Sequence, residues 1–218
     1  MRSSISQDVV DLIVENDKAK LLAALAKYAY SYSDIPFQLS SSAKSNEYLD
    51  CRAVLSRAEV LCLAARVFLE KIYSEVEAIG GLTSGADPIA IAVAQASVPY
   101  RALPLSWFSV RKGHKPHGAN RSIEGFTRTG ASIAIVDDVV TTGASTLAAI
   151  RACHDAGMFV SQVLVLVDRE MYEGMTTIRQ AVNAETPVEA IFTLKGIRAT
   201  FEEQRCVGVV PPITQIIE

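Results

Sequence analysis

Two carboxylates stand side by side at Asp137 and Asp138, directly after the apolar run Ile133-Ala134-Ile135-Val136. Val139-Val140-Thr141-Thr142-Gly143-Ala144-Ser145 follows, so nine positions hold two acids, three hydroxyls and a glycine. A buried strand that ends in such a turn and then starts a helix offers free backbone N–H groups and the positive end of a helix dipole, which together hold a phosphate. Thr141, Thr142 and Ser145 add hydroxyl donors, and Gly143 lets the backbone come close to a ligand. The two acids would repel a bare phosphate, so they must face something else. Vicinal sugar hydroxyls or a hydrated Mg²⁺ fit that role. An ordinary strand–turn–helix needs one capping residue, and capping alone does not account for so many polar groups. The segment is not a Walker A loop, since it lacks GK[ST] and its acids precede the turn.

A second concentration of chemistry lies in Trp107–Gly118, where Arg111, Lys112, Lys115 and His117 fall within seven residues. A basic run is usually a solvated face. Beside a phosphate-binding turn it serves better as a clamp on a polyanion. In Ile79–Ala90, glycines after a strand and before a helix suit an anion nest, and a tight βα turn explains them equally well. Val167-Asp168-Arg169-Glu170 ends another apolar run, and a structural ion pair is the default role for Arg169.

The elements that must position these groups can be read from periodicity. Residues 1–30 and 53–72 show helical spacing, and the Ser-, Asp- and Pro-containing stretch 31–46 reads as loop or irregular chain. Beyond residue 72 short apolar runs alternate with helical segments. Strands are expected at 76–79, 107–110, 132–136, 162–167 and 187–193. Helices are expected at 87–97, opening on an Asp87 cap with Pro88 in the first turn, and at 144–156 and 174–183. This alternation implies an α/β fold with a mainly parallel central sheet flanked by helices. The expected organisation is a cap over residues 1–70, an α/β core over 71–195 and a tail at 196–218 packing on core or cap. Ligands of such sheets sit beyond the carboxyl ends of the strands, where the segments above begin.

The 218 residues are half hydrophobic and 21% charged, which is enough apolar material for a sizeable core. A net charge of −3 gives no overall attraction to nucleic acid or to an anionic membrane. No apolar run approaches the ~20 residues of a membrane span, and the N-terminus does not read as a signal peptide. Cys51, Cys62, Cys153 and Cys206 form no CxxC pair, so reduced thiols in a cytoplasmic protein are expected.

Asp137–Ser145 resembles the phosphoribosyl-pyrophosphate (PRPP) signature of the type I phosphoribosyltransferases. The resemblance implies that the acids hold the ribose hydroxyls and that the turn from Val139 to Ser145 holds the 5′-phosphate. Arg111, Lys112, Lys115, His117 and Gly118 match the RK-x-x-K-x-HG loop of orotate phosphoribosyltransferases, and Ile79–Ala90 resembles their pyrophosphate-side loop. Asp168-Arg169-Glu170 resembles the motif whose arginine binds the pyrimidine and its carboxylate. A planar bidentate donor suits such a ring. Phe37–Arg52 resembles the F-x-L-x-SG-x-x-S-x-YY-x-D stretch that covers the base, with Ser42 in place of the glycine and Glu47 in place of the first aromatic.

The resemblance spans about residues 30–170. It implies a type I phosphoribosyltransferase-like fold with an N-terminal hood, and Mg²⁺-dependent transfer of phosphoribose from PRPP to orotate. Lys112, Lys115, His117, Asp137 and Asp138 would be catalytic, with His117 a phosphate donor. Thr141, Arg169 and Tyr48 would contact orotate. Mg²⁺ would be held by PRPP and water without direct protein ligands. A homodimer is implied, its basic loop closing over the neighbouring subunit's site with Gly113, Gly118 and Gly125 allowing movement. A transferase for another base would share Asp137–Ser145 without the basic loop or Arg169. A PRPP-sensing regulator would be expected to carry added basic surface.

Overall fold

The computed structural model describes residues 7–38, 44–113 and 122–208. After helix α1 (Gln7–Tyr28) come strands β1 (Tyr30–Gln38) and β2 (Lys44–Leu49), then α2 (Cys51–Leu55) and α3 (Ala58–Lys71). The α/β part follows as β3 (Ala78–Leu82), α4 (Ala86–Ser97), β4 (Ser106–Val110), β5 (Ile123–Gly125), β6 (Ser132–Val140), α5 (Ala144–Asp155), β7 (Phe159–Asp168), α6 (Gly174–Ala181), β8 (Val188–Thr193) and α7 (Leu194–Cys206). The six-stranded sheet runs β5-β4-β3-β6-β7-β8, and every pair in it is parallel except β4–β5.

Alternation along β6 divides the core. Ala134 and Val136 face a cluster that includes Leu25 of α1, Phe68 of α3, Ile89 of α4 and Phe201 of α7. Ile133 and Ile135 face the opposite cluster, with Ile150 of α5 and Ile178 of α6. A sheet buried on both faces requires such continuous apolar strands. Among the described residues no helix is long and apolar enough to cross a membrane, and all four cysteines are free, Cys51 and Cys153 being buried.

Three expectations need correcting, and one element adds to what was expected. Residues 31–46 are not irregular where described: β1 and β2 form an antiparallel hairpin with an irregularity between Tyr32 and Phe37. Pro36 and Asp34 read as breakers, yet a two-stranded ribbon tolerates both at its edge. Gly80 and Gly81 lie inside β3, one and two residues beyond the expected strand, and a Cβ on either would come within about 2.2 Å of a neighbouring carbonyl. They permit strand packing and form no nest. α4 starts at Ala86 with Gly85 as its cap, and Asp87 instead accepts a hydrogen bond from Ser109 Oγ at 2.6 Å. The stretch 194–206 is a helix capped by Thr193, which accepts from Gly196 N–H. It buries Leu194, Ile197 and Phe201 at three-to-four spacing and joins α1 through Gln204, which donates to the Ala23 carbonyl at 3.0 Å. Gly196 and a run of charged residues hide it from a periodicity reading.

Candidate functional site

β6 pairs with β3 only from Ile133 to Ile135, while it stays paired with β7 as far as Val140. The expected strand end at Val136 is therefore four residues short, and Asp137 and Asp138 belong to the strand. From β3 the chain moves to β4 on one side, and β6 returns to the other side before β7 and β8. The crevice beside the free end of β6 is thus at the topological switch point. A cavity of about 410 Å³ opens there, lined by Tyr48–Arg52, Leu82–Gly85, Lys112, Asp137, Asp138, Val139 and Ser145.

The two acids differ. Asp137 is only 3% exposed. Its Oδ2 accepts hydrogen bonds from Ser145 Oγ at 2.9 Å and Thr146 Oγ1 at 2.8 Å, and its Oδ1 from Asp138 N–H at 3.1 Å. It ties the strand end to the first turn of α5. Asp138 is the more open of the pair, its Oδ1 accepting from Val139 N–H at 3.0 Å. A Cβ at Gly85 would stand 2.3 Å from that oxygen, so glycine is what leaves the carboxylate its place. Burial, and then the Asp138 charge, push Asp137 above the usual carboxylate range. Burial also raises Asp138, partly offset by its backbone hydrogen bonds and by Arg52.

The turn after β6 has the predicted form. Gly143 adopts φ +80° and caps α5, and a Cβ there would lie 2.9 Å from the Gly174 carbonyl. Its need for glycine is therefore positive φ and packing on α6. The first-turn N–H groups of α5 have no acceptor within the helix; that of Ala144 donates to Thr142 Oγ1 at 3.4 Å, and the helix starts at the cavity, which Ser145 lines. Ser145 gives its proton to Asp137, leaving the main chain and the Thr141 and Thr142 hydroxyls as the donors at this end. Thr141 is half-buried and Ala144 exposed on the same turn, whereas Val140 is buried in the core.

The basic segment starts at the end of β4. Lys112 is exposed at the cavity rim. Arg111 does not line the cavity. It pairs with Glu124 at 2.9 Å, and its N–H donates to the Ser122 carbonyl, so it closes the base of the segment. Gly125 has φ +83° within β5, and its Cβ would meet the Trp107 carbonyl at 2.7 Å. It is also a packing position in the sheet. Lys115 and His117, with His114, Gly118 and Ser42, lie outside the described residues.

Tyr48 lines the cavity, 38% exposed, its ring centroid 5.5 Å from that of Phe37. Arg169 follows β7 behind the hairpin. Its Nη2 lies 3.5 Å from the Glu47 carbonyl, and its Nε is buried without a protein partner. Arg169 itself is not among the residues that line the cavity. Asp50 and Arg52 also line the cavity without having been assigned from sequence. Asp50 caps α2 by accepting from Ala53 N–H at 3.0 Å, and spacing alone does not separate such a cap from a site residue.

No family model matches the chain. Among curated proteins, the orotate phosphoribosyltransferase of Leptospira biflexa is 39% identical over 149 residues, covering 66% of this chain and 79% of the relative. That of Thermosynechococcus vestitus is 36% identical over 183 residues, covering 84% and 93%. Among solved structures, the Mycobacterium tuberculosis H37Rv orotate phosphoribosyltransferase in complex with Fe(III) dicitrate aligns with a TM-score of 0.69 at 29% identity, covering 83% of this chain and 98% of that one. The same protein in complex with PRPP aligns at 0.64 and 26% identity, over 83% and 98%.

Proposed function

The chain belongs to the orotate phosphoribosyltransferase family, and from that premise we propose how its switch-point crevice moves the 5-phosphoribosyl group of PRPP onto orotate, giving orotidine 5′-phosphate and pyrophosphate for pyrimidine biosynthesis. The observation that carries the proposal is the meeting of Asp138, the start of α5, Lys112 and Tyr48 around one cavity.

The main-chain N–H groups from Thr141 to Ser145, with the Thr142 hydroxyl, hold the 5′-phosphate. Val139 and Val140 contribute backbone there. Asp138 accepts from the ribose hydroxyls, and Asp137 holds Asp138 and the phosphate turn in mutual register. Displacement at the anomeric carbon passes through an oxocarbenium-like centre while negative charge builds on the departing pyrophosphate. Lys112, Lys115 and His117 neutralise that charge, and Arg111 holds the base of their segment through Glu124. The segment also keeps water from the reacting carbon.

Orotate is anionic, so it attacks without a strong base. Arg169 takes its carboxylate, Tyr48 covers its ring, and Thr141 lies at its edge. Among the described residues no three acids are placed to ligate a metal, so a hydrated Mg²⁺ entering with PRPP would be held by PRPP and water, with Asp138 in the cavity lining facing its water shell. Bound to the diphosphate, the ion supplies further neutralisation of the leaving group.

A homodimer completes the proposal. The exposed side chains of Ile91, Val98, Tyr100, Leu103 and Trp107, on α4, the loop after it and β4, offer an apolar surface for a second copy. The basic segment would reach the partner's crevice. Four free cysteines suit a cytoplasmic location.

Incubating purified protein with PRPP, orotate and Mg²⁺ tests the reaction. One pyrophosphate should appear for each orotate consumed, and chelation of Mg²⁺ should stop both. Pyrophosphate release without orotate loss would contradict the proposal.

A further inference from the structure

A strand sends successive side chains to opposite faces, so β2 turns Tyr48 to the crevice and Glu47 away from it. Glu47 lines a second cavity of about 610 Å³ behind the hairpin, together with Tyr30, Tyr32, Arg198 and Phe201. There Arg198 Nε and Nη2 donate to the two Glu47 oxygens at 2.6 Å each, and the Tyr30 hydroxyl donates to Oε1 at 2.5 Å. Burial opposes the charge, yet Arg198 and Tyr30 hold Glu47 below the usual carboxylate range. One carboxylate thus joins β1, β2 and α7. Tyr30 adds an edge contact to Phe201 of α7, with ring centroids 4.9 Å apart. The other end of the same residue, its main-chain carbonyl, stands against Arg169 Nη2.

We infer that Glu47 is a positioning residue for base recognition: the Arg198–Glu47–Tyr30 clasp fixes the β2 carbonyl that sets how the Arg169 guanidinium is presented. The inference rests on the assignment of Arg169 to the orotate carboxylate. The tyrosine at this point of the stretch that Phe37–Arg52 resembles offers a single hydroxyl oxygen, whereas the two Glu47 oxygens accept from Arg198 Nε and Nη2 separately. Glu47 therefore gives this chain a bidentate link between hood and C-terminal helix, a geometry that constrains direction as well as distance.

Steady-state kinetics of the full-length protein test it. Glu47→Gln should raise the orotate KM about tenfold, while kcat and the PRPP Kd stay within about twofold, because one charge-assisted bidentate pair is lost away from the reacting atoms. Arg198→Lys, which keeps charge without the planar fork, should give an intermediate rise. In an Arg169→Ala background, Glu47→Gln should add nothing to the orotate KM, since the clasp acts through Arg169. An unchanged orotate KM in Glu47→Gln, with a raised one in Arg169→Ala, overturns the clasp alone. An unchanged orotate KM in Arg169→Ala overturns the assignment beneath it. Equal weakening of PRPP and orotate with a fallen melting temperature would reduce Glu47 to a structural role and overturn the inference.

Discussion

Asp138→Asn is expected to be about a hundredfold less active than the unaltered protein, since a charge-assisted hydrogen bond contributes roughly 1.5–3 kcal/mol and Asp138 is proposed to make such bonds to the ribose. The same change should make the fold more stable at neutral pH. Burial raises both adjacent carboxyl groups, and the charge of Asp138 raises Asp137 further. A carboxyl whose folded pKa lies above its unfolded value binds more protons in the fold. The pair therefore weakens the fold as pH rises from the unfolded carboxylate range, near 4, through the raised values. Below that window the penalty is absent. Asparagine keeps the oxygen that accepts from Val139 N–H and removes the charge. Thermal unfolding should show Asp138→Asn ahead of the parent at pH 7.5, with the lead shrinking toward pH 4. Equal stability at every pH would mean that the pair carries no electrostatic strain, and undiminished turnover would remove Asp138 from the site.

The second large effect concerns where the basic segment acts. Lys115→Ala should lose about two to three orders of magnitude in kcat, the scale of removing one preorganised donor from a developing negative charge. Asp138→Ala should be comparably impaired. If each crevice receives its partner's basic segment, a mixed dimer has one site free of both changes and one carrying both. Half of randomly paired dimers are mixed, so an equimolar, re-equilibrated mixture should recover about a quarter of the parental activity. Confirmed heterodimers that recover nothing would contradict subunit sharing.

Much of this fold is legible in the amino-acid sequence. The alternation of apolar runs and helical segments after residue 72 gave the parallel sheet, because strands buried on both faces must be apolar throughout. Asp137–Ser145 was recognisable because its acids, hydroxyls and glycine exceed what a helix cap needs. The hairpin escaped because its side chains are polar and its strands carry Pro36 and a register irregularity. β5 escaped because it has three residues, anchored by pairing with β4. The partition of work within the acid pair was invisible as well: Ser145 and Thr146 follow in sequence, but only the folded turn brings both hydroxyls to Asp137 and leaves Asp138 facing the cavity. Glu47 looked like the loss of an aromatic, and its partner Arg198 lies 151 residues away, beyond the reach of any local pattern.

Through Arg169, we propose, the protein selects a pyrimidine bearing a carboxylate. The most direct measurement compares kcat/KM for orotate with that for uracil and adenine, in the presence of PRPP and Mg²⁺, for the parent protein and for Arg169→Ala. Orotate should be preferred by at least about a thousandfold, because the uncarboxylated base leaves a buried donor unpaired. Arg169→Ala should lose most of that preference. A parent protein that turns over uracil or adenine as well as orotate, or a preference that survives Arg169→Ala intact, would contradict the claim.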